Sequence, residues 1–248
     1  MRKARLQLLR ELTEVNGVPG YESRVAEVMR RHVADVADAI SADNLGSLIA
    51  MQRGTADRPR VMLAGHLDEI GFMVKLVTDN GFVRFAPLGG WFDQVLLGQR
   101  VVIETSKGPV PGLIGCKAPH LMPADERSKV INKDQMFIDV GAKDKKQATD
   151  KFGIRPGDAI VPVSPFTVLA DPDRLMAKAW DDRVGVALAV ETLQALKARK
   201  HPNTIYAVGT VQEEVGLRGA TTAVNAVDPD VALVLETGVA GDTPDVKP

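Results

Sequence analysis

Three short motifs of this chain, which has 248 residues, carry side chains that could bind a metal: one has a histidine and an aspartate, and two have a pair of carboxylates. The motifs are His66-Leu67-Asp68, Asp181-Asp182 and Gln212-Glu213-Glu214, and a further acid, Glu236, follows the last of them. Imidazole nitrogens and carboxylate oxygens are ligands that zinc, manganese and cobalt take in proteins. Because a divalent cation also offsets the repulsion among neighbouring carboxylates, these residue types predict a metal site.

Each motif has an ordinary structural explanation when it stands alone. An aspartate at the start of a helix caps free N–H groups and is favoured by the helix dipole. The combination is more informative, because each motif and Glu236 follow an apolar run typical of a buried strand. In open parallel sheets, ligands bind at the carboxyl ends of the strands, so the acids and the histidine are expected to meet at one edge. The runs are 60–65, 175–179, 204–210 and 231–235.

The elements that would position these residues lie in the first and last thirds of the chain. Apolar spacing predicts helices over 6–15 and 22–36, followed by a hairpin around Asp43-Asn44-Leu45-Gly46. After Pro165, strands alternate with predicted helices over 182–199 and 217–226, which is typical of parallel pairing. The expected fold class is α/β: a mixed, largely parallel sheet with helices on both faces.

Residues 70–164 have a different pattern. Short predicted strands follow one another closely, and Asp79-Asn80-Gly81 is a strong hairpin signal. Such strands favour a small β-barrel or sandwich. We therefore expect an α/β domain formed by residues 1–69 and 165–248, with residues 70–164 inserted as a small β-barrel domain. The predicted strands are 70–78, 82–86, 95–105, 110–114, 136–140 and 159–163, with one helix over 145–152.

The composition argues against several classes of partner. The formal net charge of −1 disfavours binding to nucleic acid, which needs a basic surface. The sequence has no apolar run of about 18 residues, so no membrane span is expected, and its basic start is not followed by the apolar core of a signal peptide. A single cysteine, Cys116, fits a reducing compartment. The chain is expected to be soluble and cytoplasmic.

The motifs in their full context resemble those of the tetrahedral and glutamyl aminopeptidases, a family of di-metal exopeptidases that includes proteins named endoglucanase. The resemblance rests on the residues around His66, Asp181 and Glu213 and extends from about Leu9 to Pro248. It includes Leu88-Gly89-Gly90 in the insert. The matching segments are Ala64-Gly65-His66-Leu67-Asp68-Glu69-Ile70-Gly71, Asp181-Asp182-Arg183-Val184-Gly185 and Gln212-Glu213-Glu214-Val215-Gly216, with Leu97-Gly98-Gln99-Arg100-Val101 in the insert.

The resemblance implies two divalent metal ions per subunit, zinc or cobalt. His66 matches the ligand of the first metal, Asp181 the carboxylate that bridges both, and Glu214 a ligand of the second. Glu236 stands where the family usually has aspartate. Members of the family continue past the point that matches Pro248 with a further histidine ligand. The chain is therefore expected to be truncated, with its second site incomplete.

The resemblance also implies catalytic roles. Glu213 matches the general base and Asp68 the acid that orients the metal-ligating histidine, and the peptide bond between Asp181 and Asp182 is expected to be cis. A carboxylate that accepts a proton from water and passes it to the leaving amine typically accelerates a reaction about 10²–10⁴-fold. The implied mechanism is attack of a metal-bridged hydroxide on the scissile carbonyl.

The function implied is that of a metal-dependent aminopeptidase, a protease that removes N-terminal residues from peptide substrates. The resemblance implies a homo-oligomer, in which dimers build a shell of twelve subunits. Two alternatives stay open at this stage. One is an amidohydrolase or deacylase of N-acyl substrates, because the metal core does not select the acyl group. The other is a catalytically impaired assembly subunit, because the last histidine ligand is missing.

Overall fold

The computed structural model of the protein describes residues 2–125 and 127–246. Met1, Glu126, Lys247 and Pro248, which the expected domain ranges include, lie outside the described residues. The helices are α1 (Arg2–Glu14), α2 (Ser23–Val33), α3 (Trp180–Leu196) and α4 (Arg218–Val227). The strands are β1 (Ala39–Ala42), β2 (Leu48–Gln52), β3 (Arg60–His66), β4 (Gly71–Val77), β5 (Val83–Leu88), β6 (Arg100–Thr105), β7 (Gly108–Gly115), β8 (Phe137–Asp139), β9 (Ala159–Pro162), β10 (Thr167–Val168), β11 (Leu175–Met176), β12 (Thr204–Thr210) and β13 (Val231–Val234).

The chain folds into two compact units. The first comprises Met1–Val15, Glu22–Asp68 and Ala179–Pro248, and the second comprises Asn16–Tyr21 and Glu69–Lys178. The β-rich second unit is therefore inserted into the first directly after the first polar motif, and the chain returns shortly before the second motif.

The first unit contains a mixed five-stranded sheet with the order β1-β2-β12-β3-β13. The strand β3 pairs in parallel with both β12 and β13. The other two pairings, β1 with β2 and β2 with β12, are antiparallel. The mixed α/β sheet is confirmed, but it is not largely parallel. The reason is that the hairpin at residues 43–46 reverses the chain, and β2 then joins the edge of β12.

The core of the first unit consists of two apolar clusters, and alternate side chains of a strand belong to different clusters. Leu48 and Ala50 of β2 belong to a large apolar cluster with buried residues of α1, α2 and α3. Ile49, between them, belongs to a second cluster with Ala223 and Val227 of α4. Successive side chains of a strand point in opposite directions, so one strand contributes to both clusters. Burial of each large aliphatic side chain stabilises the fold by about 1.5–3 kcal/mol.

The second unit is a closed barrel with the strand order β4-β5-β8-β7-β6-β9. Its interior is filled by apolar side chains, among them Phe72, Ile103, Ile114 and Ile138. The predicted hairpin at residues 79–81 joins β4 to β5. The predicted small barrel is confirmed.

Two local predictions were wrong in part or whole, and a third was right in position but not in helix type. Residues 175–179 do not form a strand of the main sheet, because β11 pairs only with β10 in a separate two-stranded ribbon. The predicted strand over 95–105 begins at Arg100, since a 3₁₀ turn at Asp93–Val95 and the left-handed Gly98 (φ 82°) precede it. The predicted helix over 145–152 is confirmed in position, because residues 145–151 are helical, but Gln147–Lys151 has π-helical hydrogen bonding.

None of the helices formed by the described residues has the length and apolar character that crossing a bilayer requires.

Candidate metal centre

His66 ends β3, an interior strand of the sheet, and its ring is held at both nitrogens. The side chain is 2% exposed. Nδ1 lies 3.0 Å from the main-chain oxygen of Asp68 and 3.4 Å from its carboxylate. Nε2 lies 2.9 Å from Oδ1 of Asp181. With Nδ1 donating to the Asp68 oxygen, Nε2 is the nitrogen directed at the acidic cluster, which is the orientation of a metal-ligating imidazole.

Asp181 and Asp182 form a sharp turn ahead of the regular part of α3. Neither residue has helical backbone angles, and the peptide bond between them is cis, as predicted. The Asp182 carboxylate is fully buried and accepts hydrogen bonds from two main-chain N–H groups, those of His66 (3.0 Å) and Gly185 (3.0 Å). The Asp181 side chain is 61% exposed. The buried aspartate therefore holds the turn, and the exposed one is accessible to a ligand.

The third motif follows β12, and a buried carboxylate from the first motif anchors it. The two oxygens of Asp68 accept hydrogen bonds from the main-chain N–H groups of Glu213 (3.0 Å) and Glu214 (3.0 Å). Asp68 is fully buried, so this pairing is shielded from water. It brings Oε2 of Glu213 to 3.9 Å from Nε2 of His66.

Glu236 comes from the edge strand of the sheet. The main-chain N–H of Leu235 donates to the oxygen of Ala64 at 2.8 Å, which extends the pairing of β13 with β3. The next residue, Glu236, then places Oε2 3.9 Å from Nε2 of His66. The parallel register of β12, β3 and β13 thus brings three of the four predicted strand ends to one place.

Two groups of possible ligand atoms result, each with its members within 4.8 Å of one another. One consists of His66, Asp181 and Glu214, and the other of His66, Asp182 and Glu236. One imidazole nitrogen with several carboxylate oxygens is a donor set that fits a divalent cation. The sequence prediction named Asp181 and Glu236 as ligands but not Asp182, the second member of the Asp-Asp pair, which groups here with His66 and Glu236. The only signal for Asp182 was its place in that pair, where helix capping explained it equally well.

Crowding of negative charge in a buried place shifts the pKa values of these groups. Burial opposes protonation of His66, but Asp68, Asp181 and Asp182 outweigh it and raise its pKa to about 9. Burial and the neighbouring carboxylates raise the pKa of Glu214 to about 7. Burial and Glu236 raise the pKa of Asp182 to about 7. The cluster is therefore an environment that favours positive charge.

Comparison with known proteins identifies the class to which this fold and site belong. The profile of the M42 glutamyl aminopeptidases matches residues 46–248, and a profile described as AMPT matches residues 3–29. The chain belongs to the M42 glutamyl aminopeptidase family.

Several relatives in the family have names of their own. The chain is 39% identical over 243 residues to FrvX of Escherichia coli (strain K12), covering 97% of this chain and 66% of FrvX. It is 35% identical to the lysyl aminopeptidase of Pyrococcus furiosus and 32% identical to the glutamyl aminopeptidase of Lactococcus lactis subsp. cremoris, covering 94% and 95% of this chain and 66% and 67% of those proteins. The chain thus spans about two thirds of the length of the curated relatives it matches.

Solved structures share the fold. The TET aminopeptidase from the marine sediment archaeon Thaumarchaeota archaeon SCGC AB-539-E09 superposes with a TM-score of 0.97 at 46% identity, covering 100% of this chain and 69% of that one. The TET1 peptidase of Pyrococcus horikoshii superposes with a TM-score of 0.86 at 33% identity, covering 98% of this chain and 72% of that one. That peptidase can assemble into a tetrahedron or a large octahedral shell, and a structure of PhTET1-12s is a dodecamer.

Proposed function

We propose that this protein is a metal-dependent aminopeptidase that removes N-terminal residues from peptides. The observation that carries the proposal is the convergence of Nε2 of His66 with the carboxylates of Asp181 and Glu214, at strand and loop ends that the sheet places together. M42 peptidases depend on divalent metals, and the donor set fits such an ion. The relatives named above as lysyl and glutamyl aminopeptidases support the same reaction class.

Four side chains would hold divalent metal: His66, Asp181 and Glu236 at a first site, with Asp181 and Glu214 at a second. Asp182 is assigned to the framework instead, because each of its oxygens already accepts a main-chain N–H in a fully buried position. When bound, the cation would supply Lewis acidity, which polarises the scissile carbonyl and acidifies water at the site. Zinc or cobalt is proposed because the family resemblance implies these metals, and one imidazole with several carboxylates is compatible with either.

Glu213 is proposed as the general base and then the general acid. Its main-chain N–H is fixed by Asp68, and its carboxylate lies beside the imidazole without a hydrogen bond to it, at 3.9 Å. From there Oε2 can accept a proton from an attacking water and deliver it to the leaving amine. Asp68 acts through other residues: its main-chain oxygen fixes the ring of His66, and its carboxylate fixes the loop that carries Glu213.

Replacement of Glu213 by glutamine tests this assignment. The amide has the shape of the acid but cannot take the proton, so kcat on an aminoacyl-anilide should fall about 10²–10⁴-fold while metal content is unchanged. Glu27→Gln, on the exposed face of α2, is the matched control and should behave as the parent does. A Glu213→Gln variant with parental turnover would assign the base elsewhere. A parent without turnover after reconstitution with zinc or cobalt would refute the function itself.

We further propose that the barrel unit mediates self-association. Large apolar side chains are exposed on this unit, among them Phe92 (63%), Val95 (49%) and Leu113 (47%). Exposed apolar side chains mark an interface where they form one patch, and the TET1 relative can assemble into a tetrahedron or a large octahedral shell. Phe92→Glu should lower the mass measured by light scattering, whereas Val239→Glu, at an exposed position of the first unit, should not. An unchanged mass in the Phe92 variant would contradict this role.

A further inference from the structure

Glu22 is a buried acid that the sequence assigns only to the start of a helix. It stands at the N-cap position of α2 and is 5% exposed, yet its side chain makes no capping hydrogen bond to that helix. Its Oε1 instead accepts the main-chain N–H of Gln212 at 3.0 Å, 190 residues further along the chain. The side chain therefore spans from α2 to the loop that carries Glu213 and Glu214.

The main-chain N–H groups at the start of that loop need hydrogen-bond acceptors from elsewhere in the chain. Gln212 has a left-handed backbone, with φ 56°, a conformation that residues other than glycine rarely adopt. At this point the chain has left β12, so the N–H groups of residues 212, 213 and 214 have no strand partner. A buried N–H without an acceptor is strongly disfavoured. Glu22 takes the first of the three, and Asp68 takes the second and third.

The other end of the loop is held by main-chain contacts. The N–H of Gly219 donates to the oxygen of Val211 at 2.9 Å, and that of Arg218 donates to the oxygen of Gln212 at 3.2 Å. The segment is thus clamped by the start of α4 on one side and by two buried carboxylates on the other. Two of these contacts involve the left-handed residue itself, since Glu22 accepts the N–H of Gln212 and Arg218 donates to its oxygen; of the two, only the contact from Glu22 is made by a side chain.

We propose that Glu22 is a positioning residue for the reaction, which fixes the direction of Glu213 and Glu214 by holding the N–H of Gln212. The inference rests on the proposed function, because it concerns the same loop. Glu22 touches neither substrate nor metal in this assignment. Its effect is on geometry, and a misplacement of about 1 Å in a catalytic group can lower a rate about 10²-fold.

Two variants of Glu22 and one control test the inference. Glu22→Ala removes the acceptor and should lower kcat by about 10–100-fold with KM within about twofold and metal content unchanged. It should also speed amide hydrogen exchange in residues 211–217 but not in β12. Glu22→Gln keeps an acceptor oxygen and should restore both readouts. Ser23→Ala, at an exposed position of the same helix start, should match the parent.

The two readouts separate the inference from the proposed function. If the parent has no aminopeptidase activity while Glu22→Ala exchanges faster in 211–217, the anchoring role stands and the proposed function fails. Parental kcat and parental exchange in Glu22→Ala would overturn the inference, as would equal losses in Glu22→Ala and Glu22→Gln. If the alanine variant does not fold, Glu22→Asp, which falls short of Gln212 by one methylene, replaces it with the same expected direction.

Discussion

Replacement of Gly185 by alanine should damage both the fold and the metal centre. Gly185 lies in α3, where a Cβ would stand 2.4 Å from the main-chain oxygen of Leu235 and 2.4 Å from a carboxylate oxygen of Asp182. The facing residue on β3, Gly65, is equally confined, with a Cβ only 2.6 Å from the nitrogen of Val186. The helix and the strand approach this closely because neither position has a side chain.

The magnitude follows from these distances. An ordinary contact is about 3.5–4.0 Å, so the methyl group must open the structure by about 1 Å. Overpacking of this kind costs about 1–3 kcal/mol. Losing one hydrogen bond of the buried Asp182 carboxylate costs about 1.5–3 kcal/mol more, whereas the gain in helix propensity is only about 1 kcal/mol. The net loss is about 3 kcal/mol, or about 6–12 °C in Tm for a chain of this size.

The metal centre should respond as well, because the displaced groups adjoin it. Leu235 precedes Glu236, and Asp182 holds the turn that carries Asp181. Disturbing groups that orient metal ligands typically weakens metal affinity about 10–100-fold. Scanning calorimetry and metal titration measure the two effects. Gly90→Ala, where a Cβ meets nothing within 4 Å, is the control and should change stability by no more than about 0.5 kcal/mol. A Gly185→Ala protein with parental Tm and metal affinity would refute the packing argument.

Three further predictions concern other contacts. Lys178→Met should destabilise the protein by about 3–5 kcal/mol in denaturant titration, because it removes the ammonium that lies 2.5 Å from the buried Glu69 carboxylate. The exposed pair of Lys129 with Asp125 offers the control Lys129→Met. Burial alone would raise the pKa of Asp43, but hydrogen bonds from Thr222 and Ser47 hold it below its usual value. Asp43 therefore stabilises the fold above the usual aspartate pKa, and this contribution is lost as the pH falls through the lower, folded-state pKa. The Tm difference between parent and Asp43→Asn should shrink correspondingly in acid, and a constant difference would contradict the assignment. Removal of divalent cations by a chelator should lower Tm and abolish turnover, and both should return when zinc or cobalt is restored, since an ion that binds the folded site stabilises it.

Sequence reasoning predicted the parts of the site that local pattern controls. The ends of β3 and β12 are marked by apolar runs that stop at polar motifs. Because the two strands are parallel, their carboxyl ends lie at the same edge of the sheet. The Asp181-Asp182 turn lies at the same site as these strand ends for another reason. It is positioned by hydrogen bonds of Asp182 to β3 and α3, and the strand expected before it is a two-residue ribbon. Long-range bonds of this kind leave no periodic signal in the sequence.

Because long-range contacts leave no local signal, the sequence predicted neither the role of Glu22 nor the order of the strands in the sheet. A glutamate at a helix start is explained locally, and its partner 190 residues away cannot be inferred from spacing. The hairpin at residues 43–46 was predicted, but local pattern does not show that β12 would pair with β2 on one side and β3 on the other. That choice is made by the packing of the apolar clusters on the sheet.

The position of the insert has a consequence for synthesis of the chain on the ribosome. His66 and Asp181 are 115 residues apart, and β3 lies between β12 and β13, which are both made later than the barrel. At about 5–20 residues per second, β3 waits several seconds or more for its neighbours. The barrel, nearly contiguous in sequence, can close during that interval. The unit that emerges first is therefore completed last. Until β12 is made, the apolar strands β2 and β3 lack the strand that pairs with both, and unpaired apolar edges are prone to aggregation.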